Sequence, residues 1–396
     1  MAHADGGVSV HIKQDPSDFR VEERIAVESG DQGDYALYRL EKRGWTTPDA
    51  IAAIRRRWRI DAWRVAVGGL KDRHAHTIQY LTILRGPERK FTQQNIALTY
   101  VGRVREPLRS DQIVANRFEI TLRDAGPDQV AHALAALEAV RRFGVPNYFD
   151  DQRFGSVQGG GPFMARLLVL GDTEAALKVA LTSPYAFDRT AAKREKAVLR
   201  QRWGDWKALG DRLPRGHIRS IVDHLQQHPA DFGGAVAKLR PELRGLYLSA
   251  YQSHMWNRML AAWLEAQISA DQLIAVRLRT GVVPMHRSLT AEQQPLFANL
   301  ELPLHSPRVT LEADDPRKPF FDAVLAAEGV TQEQMKLKGV RGLFFSKGER
   351  RAFVMPAELT AEAADDESHA GRQKLTLRFE LPRGAYATLI VKRISV

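Results

Sequence analysis

Alternating apolar and polar residues occur in several short stretches towards both ends of the chain, and this pattern predicts half-buried strands. Residues 116–123 place three apolar side chains, Phe118, Ile120 and Leu122, on one face. Other predicted strands are residues 8–12, 35–40, 65–67, 374–380 and 388–394, with one more that begins at Phe19. Residues 357–371 are alanine-rich and acidic without periodicity, which predicts a mobile loop.

Helical spacing dominates the middle of the chain, where residues 163–348 are predicted to be mostly helical. Two earlier helices have recognisable ends. One begins near Thr46, where a hydroxyl cap is followed by a proline. The other begins at Pro127 and ends at Gly144. Its predicted buried face consists of Val130, Leu134, Leu137 and Val140.

The charge balance indicates a polyanionic partner. The chain has 396 residues, with 58 Lys and Arg against 47 Asp and Glu, and therefore a net charge of +11. Such a surplus favours nucleic acid. Residues 189–219 hold ten basic and three acidic side chains, with Trp203 and Trp206 between them. Arg200 and Arg202 are the RNA contacts predicted there; the alternative is a solvated helix face.

Composition excludes several classes of site. The chain contains no cysteine, which rules out disulfides, thiolate zinc sites, iron–sulfur clusters and a cysteine nucleophile. Its first residues lack the apolar segment of a secretion signal, and no window reaches the run of about twenty apolar residues that spans a bilayer. We therefore expect a cytoplasmic protein with no membrane partner, and two domains fit its length.

A glycine pair marks the segment with the strongest candidate chemistry. Gly68 and Gly69 follow the predicted strand 65–67 and end its pleat, so Lys71 and Asp72 are expected on a turn at the end of a strand. A neighbouring cation favours the ionised form of a carboxyl group. Asp72 is therefore a candidate nucleophile or base, although Lys-Asp pairs in turns are most often solvated residues without chemistry.

Six separated motifs resemble, in the same order, those of the TruD family of pseudouridine synthases. The most specific is GVPNYF with QRFG, at residues 144–149 and 152–155. The others are KQDPSDFRVEE at 13–23, GLKDRHAHTIQ at 69–79, NRFEITLR at 116–123, SAYQSHMWNRML at 249–260 and LPRGAYAT at 381–388. Together they span nearly the whole chain.

The resemblance implies an isomerase that converts uridine into pseudouridine through a catalytic aspartate, which is Asp72 here. It implies that Lys13 pairs with Asp72, with Lys71 as the alternative cation, and that Glu23 belongs to the outer shell of the site. Phe118 would stack on the target base, which is flipped into a dry pocket. Asn116 would hydrogen-bond the nucleotide or hold the catalytic loop. The reaction imports no group and oxidises nothing, so no cofactor is expected.

The implied fold is α+β: a pseudouridine-synthase-type domain with a mixed, mostly antiparallel sheet and helices, interrupted by a mainly helical domain. The expected catalytic domain comprises residues 1–157 and 349–396, and residues 158–348 form the inserted domain, entered through a glycine-rich joint at 158–162. By analogy, the substrate would be uridine 13 of a transfer RNA, which the basic insertion clasps. A monomer is the expected state.

Two further candidates and two rival functions complete the predictions. Asn147 and Arg153 are candidate substrate contacts, with Arg153 able either to contact phosphate or to pair with a neighbouring aspartate. One rival is a non-catalytic RNA-binding protein or RNA chaperone on the same fold. The other is a metal-dependent hydrolase that uses His74 and His76, although two histidines at this spacing are weak evidence for a metal site.

Overall fold

The computed structural model describes residues 11–12, 14–157, 161–185 and 188–396. The chain divides into two compact units. The first contains the segment up to Val145 and the segment from Val354 onward, and the second is Pro146–Phe353. The second unit is therefore continuous in sequence and interrupts the first.

The strands, in chain order, are β1 (His11–Ile12), β2 (Phe19–Ile25), β3 (Tyr35–Arg43), β4 (Val65–Val67), β5 (His76–Leu84), β6 (Phe91–Gln93), β7 (Ile96–Val104), β8 (Ile113–Ala125), β9 (Val145–Pro146), β10 (Leu273–Leu278), β11 (Gly281–His286), β12 (Glu301–Pro303), β13 (Glu349–Arg351), β14 (Phe353–Val354), β15 (Ala357–Asp365) and β16 (Gln373–Pro382). The predicted strand 8–12 is described only at His11–Ile12, because residues 8–10 lie outside the described residues.

The helices are α1 (Thr47–Trp58), α2 (Pro127–Phe143), α3 (Met164–Val169), α4 (Thr173–Thr182), α5 (Thr190–Gln201), α6 (Trp206–Arg212), α7 (His217–Gln227), α8 (Phe232–Ala237), α9 (Pro241–Gln267), α10 (Gln294–Ala298), α11 (Lys318–Glu328) and α12 (Ala387–Ile394). Across the described ranges, none of these helices is both long and apolar enough to cross a membrane.

The first unit is built on a mixed sheet, whose main path runs β15-β16-β8-β2-β5-β3-β7-β6. Two short strands lie beside this path, β1 on β8 and β4 on β5. The pairing of β2 with β5 is parallel, whereas the other neighbours along the path pair antiparallel. This order places β8, β2 and β5 side by side, and the candidate site is built from these strands.

Two hydrophobic clusters cover one face of this sheet. Helix α2 begins at Pro127 and, together with α12, contributes to a cluster with Phe118, Ile120 and Leu122 of β8. Helix α1, capped by the Thr46 side chain, contributes to a second cluster with β3, β5 and β7. The predicted buried face of α2 is correct except at Leu134, which is 36% exposed.

The predicted last strand, residues 388–394, is wrong: this segment belongs to helix α12. Its run of β-branched and aliphatic residues favours a strand by residue type alone. The residues that enter the core, Ala387, Ile390, Val391 and Ile394, follow helical spacing instead. Packing of that face against the sheet therefore overrides the local preference.

The predicted mobile loop at residues 357–371 is also wrong over most of its length, because residues 357–365 form the edge strand β15. Among the described strands it pairs with β16 alone, so its outer edge meets solvent. Leu359 is the one residue of this strand that is buried in the hydrophobic cluster formed with α2, α12 and β8. An edge strand of this kind carries charged residues and shows no apolar alternation.

The second unit is mainly helical, as predicted for the middle segment, and also contains the hairpin of β10 and β11. Its central element is the long helix α9, which contacts α3, α11 and β11. Tyr251, Met255, Trp256 and Leu260 of this helix are fully buried. The helix is therefore the core around which the unit packs.

The boundary between the units lies earlier than the predicted one at residue 157. Segment 146–157 makes its contacts inside the second unit, where Tyr148 donates its hydroxyl to Pro284 O (2.8 Å). The Asn257 side chain bonds both the N–H and the carbonyl of Phe149, each at 2.8 Å. Of the glycine-rich joint at 158–162, residues 158–160 lie outside the described residues.

Candidate active site

Residues 68–75 form the loop that carries Lys71 and Asp72, between β4 and β5. The glycine at its start gives room to a neighbouring side chain, because a Cβ on Gly68 would lie 2.6 Å from Ile113 Cδ1, at the far end of that side chain. The loop therefore leaves β4 in close contact with the beginning of β8. The predicted position of Asp72, on a turn at the end of a strand, agrees with this arrangement.

A buried lysine holds the backbone of this loop. Lys42 is 1% exposed, and its Nζ donates to Trp45 O (2.8 Å), Asp72 O (3.0 Å) and Lys71 O (3.4 Å). Burial lowers the pKa of Lys42 to about 8, although the charge of Asp72 opposes that shift. Lys42 was not among the predicted site residues. The sequence does contain one signal that could have identified it: Lys42 continues the inward-facing row of Ala36, Tyr38 and Leu40 on β3.

Thr47 and Gln79 hold the same loop from a second direction. Both side chains are fully buried. Thr47 Oγ1 accepts the N–H of Lys71 (3.0 Å) and donates to Gln79 Oε1 (2.7 Å). Gln79 Nε2 in turn donates to Gly69 O (3.2 Å). The backbone on both sides of Leu70 is thus fixed by side chains from α1 and β5.

Lys71 joins the loop to β2 and β8. Its Nζ lies 3.1 Å from Glu23 Oε1 and donates to Asn116 Oδ1 (2.6 Å). Glu23 and Asn116 are directly paired across β2 and β8, and Glu23 Oε2 also accepts the N–H of Tyr80 (2.9 Å). Burial raises the pKa of Glu23, and the charge of Lys71 opposes this increase.

The Asp72 carboxylate is oriented by a hydrogen bond within its own turn, because its Oδ1 accepts the N–H of His74 (3.0 Å). Lys71 uses its ammonium for Glu23 and Asn116. The predicted partnership of Lys13 with Asp72 lies outside the described residues. Of the predicted residues in the first unit, the structure therefore brings Lys71, Glu23 and Asn116 into contact, with Asp72 next to Lys71 on the same loop.

Phe118 lies on the same face of β8 as Asn116, but it is only 8% exposed. Its ring meets Phe19 edge-on at a centroid distance of 6.1 Å and Phe379 at 5.6 Å. These contacts place the ring in the core cluster beneath α2 and α12. Its role as the platform for the target base stays a prediction.

The candidates in the second unit are dispersed. Asn147 is buried and holds a neighbouring segment, because it donates to Arg351 O (3.0 Å) and accepts from Arg350 Nη2 (2.6 Å). Arg153 Nη1 donates to Ser249 Oγ (3.3 Å). Arg200 and Arg202 are both exposed. Arg200 Nη1 donates to Thr182 O (2.6 Å), and Arg202 Nη1 lies 4.0 Å from Asp205 Oδ2. Their predicted contacts with RNA remain predictions.

His76, one of the two histidines of the rival hydrolase prediction, forms a contact with a single carboxylate. Its Nε2 lies 2.7 Å from Glu41 Oε1. Burial lowers the pKa of His76, and the hydrogen bond with Glu41 opposes that shift. Nowhere in the described part of the chain do three or more histidine, aspartate or glutamate side chains form a cluster that could hold a metal ion.

Comparison with known proteins identifies the family. Residues 2–394 match the family model described as tRNA pseudouridine synthase D (TruD). The chain belongs to this family. It is 31% identical over 395 residues to the "Probable tRNA pseudouridine synthase D 1" of Methanococcus maripaludis, covering 97% of this chain and 98% of that protein. It is 27% identical to the "tRNA pseudouridine synthase D" of Aquifex aeolicus, with 98% of each covered.

A solved structure supports the same assignment. The crystal structure of the putative TruD protein from Methanosarcina mazei matches with a TM-score of 0.74 and 25% identity, covering 98% of this chain and 94% of that one. The predicted TruD family and α+β fold are confirmed by these matches. The predicted enzyme class, an isomerase that forms pseudouridine, is confirmed by the family.

The buried pair in this TruD protein leads to a prediction about stability. Replacing Glu23 with glutamine should lower the free energy of unfolding by about 1–2 kcal/mol, because the Lys71 ammonium loses its buried counter-charge. The amide can still accept the N–H of Tyr80, so the backbone contact is preserved. Urea denaturation measures the change. The exposed Glu28→Gln is the matched control, and equal stability of the two variants would show that the pair contributes nothing.

Proposed function

We propose that this protein converts uridine 13 of a transfer RNA into pseudouridine, with the Asp72 carboxylate as the catalytic group. The observation that carries the proposal is the fixed loop: Lys42, Thr47 and Gln79 hold its backbone through buried hydrogen bonds. A catalytic group needs such support, because small displacements from the reactive geometry cost large factors in rate. The position of the uridine follows from the resemblance to the family.

The reaction detaches uracil from the ribose and reattaches it through carbon. The bond from the anomeric carbon to N1 breaks, the base turns, and a bond to C5 forms. The C5 proton leaves and N1 gains one, so the product has the atoms of the substrate. Asp72 either attacks the anomeric carbon, which gives a covalent intermediate, or removes a proton from the adjacent sugar carbon. Both paths need its carboxylate ionised.

The target uridine must leave the stack of bases before it can reach Asp72. Extrusion costs a few kcal/mol, and a site that excludes water prevents hydrolysis of the detached sugar. The ammonium of Lys42 lies under the loop and attracts the charge of Asp72. Lys71, Glu23 and Asn116 bind one another beside it. This charged group supports a role for Asp72 as a base or nucleophile.

A transfer RNA substrate also agrees with the charge of the chain, which is +11 overall. The phosphate backbone supplies most of the affinity for a basic protein of this kind. The names of the curated relatives specify transfer RNA. We therefore propose transfer RNA as the partner, with the protein acting as a monomer in the cytoplasm.

The test uses the purified protein and two transcripts of one transfer RNA that differ only at position 13. The transcript with uridine 13 should acquire a single pseudouridine there, and the transcript with cytidine 13 should acquire none. Chemical mapping of pseudouridine at single-nucleotide resolution measures both. Modification at another uridine would overturn the position, and tight binding without modification would favour the non-catalytic RNA-binding alternative.

A further inference from the structure

A cavity of about 250 Å³ opens within the second unit, between the first turns of α9 and segment 342–346. The residues of its lining that matter here are Arg244, Gly245, Ser249 and Phe344. Among the residues that the structure describes, no aspartate or glutamate lines the cavity, and its formal charge is the positive charge of Arg244.

Arg244 has no counter-charge in the part of the chain that the structure describes. Its Nε is buried without a hydrogen-bond partner, whereas other arginines of the unit are paired, such as Arg317 with Asp315 and Arg219 with Asp223. Burying a hydrogen-bond donor without a partner costs free energy of folding, and burying a cation without a counter-charge costs more. A guanidinium held in this way is suited to bind an anion from outside the chain.

Ser249 adds a hydroxyl to the same cavity, and a second arginine fixes it. Arg153 Nη1 donates to Ser249 Oγ (3.3 Å), and Ser249 Oγ donates to Leu246 O (3.1 Å). The Nε of Arg153 is also buried without a partner. Arg153 does not line the cavity, but its positive charge lies beside Ser249 and adds to the attraction of the cavity for a phosphate group.

Phe344 presents an aromatic face at the edge of this cavity. It is 67% exposed, an unusual position for a phenylalanine, and the guanidinium carbon of Arg308 lies 5.5 Å from the ring centroid. In proteins that bind single-stranded RNA, exposed aromatic rings beside basic residues provide the surfaces on which bases stack. The ring and Arg244 line one cavity, so one ligand can reach both.

We propose that this cavity binds one nucleotide of the substrate RNA, with a phosphate on the Arg244 guanidinium and a base against Phe344. The proposal rests on the proposed function only in taking the RNA to be transfer RNA. It assigns an RNA contact outside the basic segment 189–219. The chemical reason is that the cavity combines an unpaired cation, a hydroxyl and an exposed ring without any carboxylate.

Gly245 permits a sharp test of the phosphate contact. A Cβ added at this glycine meets nothing within 4 Å, and the residue lies within α9, where a longer side chain favours the helix. Gly245→Glu places a carboxylate at the mouth of the cavity, and Gly245→Gln adds a side chain of almost the same shape without the charge. We expect Gly245→Glu to bind a transfer RNA transcript about fivefold to tenfold more weakly than Gly245→Gln. Equal affinity of these two variants would overturn the proposal.

Arg244→Gln and Phe344→Ala separate the two parts of the site. Fluorescence anisotropy at several salt concentrations should show a smaller salt slope for Arg244→Gln, by about one phosphate contact. Phe344→Ala should lower the affinity and leave the slope unchanged, since stacking releases no counterions. The control is Arg277→Gln on β10, which removes one charge from the same unit outside the cavity. If Arg277→Gln reduces affinity and slope as much as Arg244→Gln, the effect is general charge and the site is refuted.

Activity distinguishes failure of this site from failure of the proposed reaction. At saturating transcript, single-turnover formation of pseudouridine by Gly245→Glu should stay within about twofold of Gly245→Gln, because the reacting groups are unchanged. If the wild-type protein binds the transcript but forms no pseudouridine, the reaction is refuted while the binding comparison still decides on the cavity. A loss of turnover at saturation in Gly245→Glu alone would instead refute a role confined to binding.

Discussion

Replacing Asp72 with asparagine is expected to reduce pseudouridine formation at least about a thousandfold, because an amide can neither attack the sugar nor remove its proton. Asparagine keeps an oxygen that can accept the N–H of His74, so the turn should be preserved. The Lys42 contact should also remain, since it uses the carbonyl of residue 72 and not its side chain. Affinity for transfer RNA should therefore change by no more than a few fold.

Single-turnover assays with excess enzyme measure the rate of modification, and anisotropy measures binding of the same transcript. Asp111→Asn is a matched control, because Asp111 lies in the same unit with a side chain 68% exposed and paired to Arg109. Its rate should equal that of the wild-type protein. If Asp72→Asn turned over within about tenfold of the wild-type rate, the Asp72 carboxylate would have no role in the chemical step. Loss of binding in that variant would instead indicate that the loop had collapsed.

Much of the first unit follows from local pattern. The alternation at residues 116–123 and 374–380 predicts β8 and β16, because both strands have one buried face and one partly exposed face. Proline and a hydroxyl cap predict the start of α1. The same logic fails at β15 and α12. The edge strand β15 buries only Leu359, which is too little to create an alternating pattern, and α12 is helical because of the sheet on which it packs.

The loop at residues 68–75 can likewise be recognised from the local sequence, but the residues that support it cannot. The glycine pair and the family resemblance together single out Lys71 and Asp72. The residues that hold them, Lys42, Thr47 and Gln79, act through carbonyl and amide groups that are distant in sequence. A hydrogen bond from a side chain to a remote backbone atom leaves no spacing signal. The pairing of Lys71 with Glu23 depends in the same way on strand order, which brings β2 beside β5.

The second large effect is expected from Lys42→Met, which should lower the rate of the chemical step about tenfold to a hundredfold. Methionine fills a similar volume, but it leaves the carbonyls of Trp45, Lys71 and Asp72 without the ammonium. The loop can then shift, and a displacement of about 1 Å at a reacting group costs on the order of a hundredfold in rate. Affinity for transfer RNA should change little. Lys90→Met, at an exposed lysine of the same unit, is the control.

A pH profile separates positioning by Lys42 from simple loss of stability. The pKa of Lys42 is lowered to about 8, so its ammonium is charged at pH 7 and loses a proton as the pH rises through 8. The neutral amine has two hydrogens for three carbonyls, and it no longer attracts the charge of Asp72. The wild-type rate should therefore fall above pH 8, while Lys42→Met, already slow, should lack that decline. Thermal melts at each pH confirm that both proteins are folded. Persistence of the decline in Lys42→Met would assign it to another group and leave Lys42 a purely structural residue.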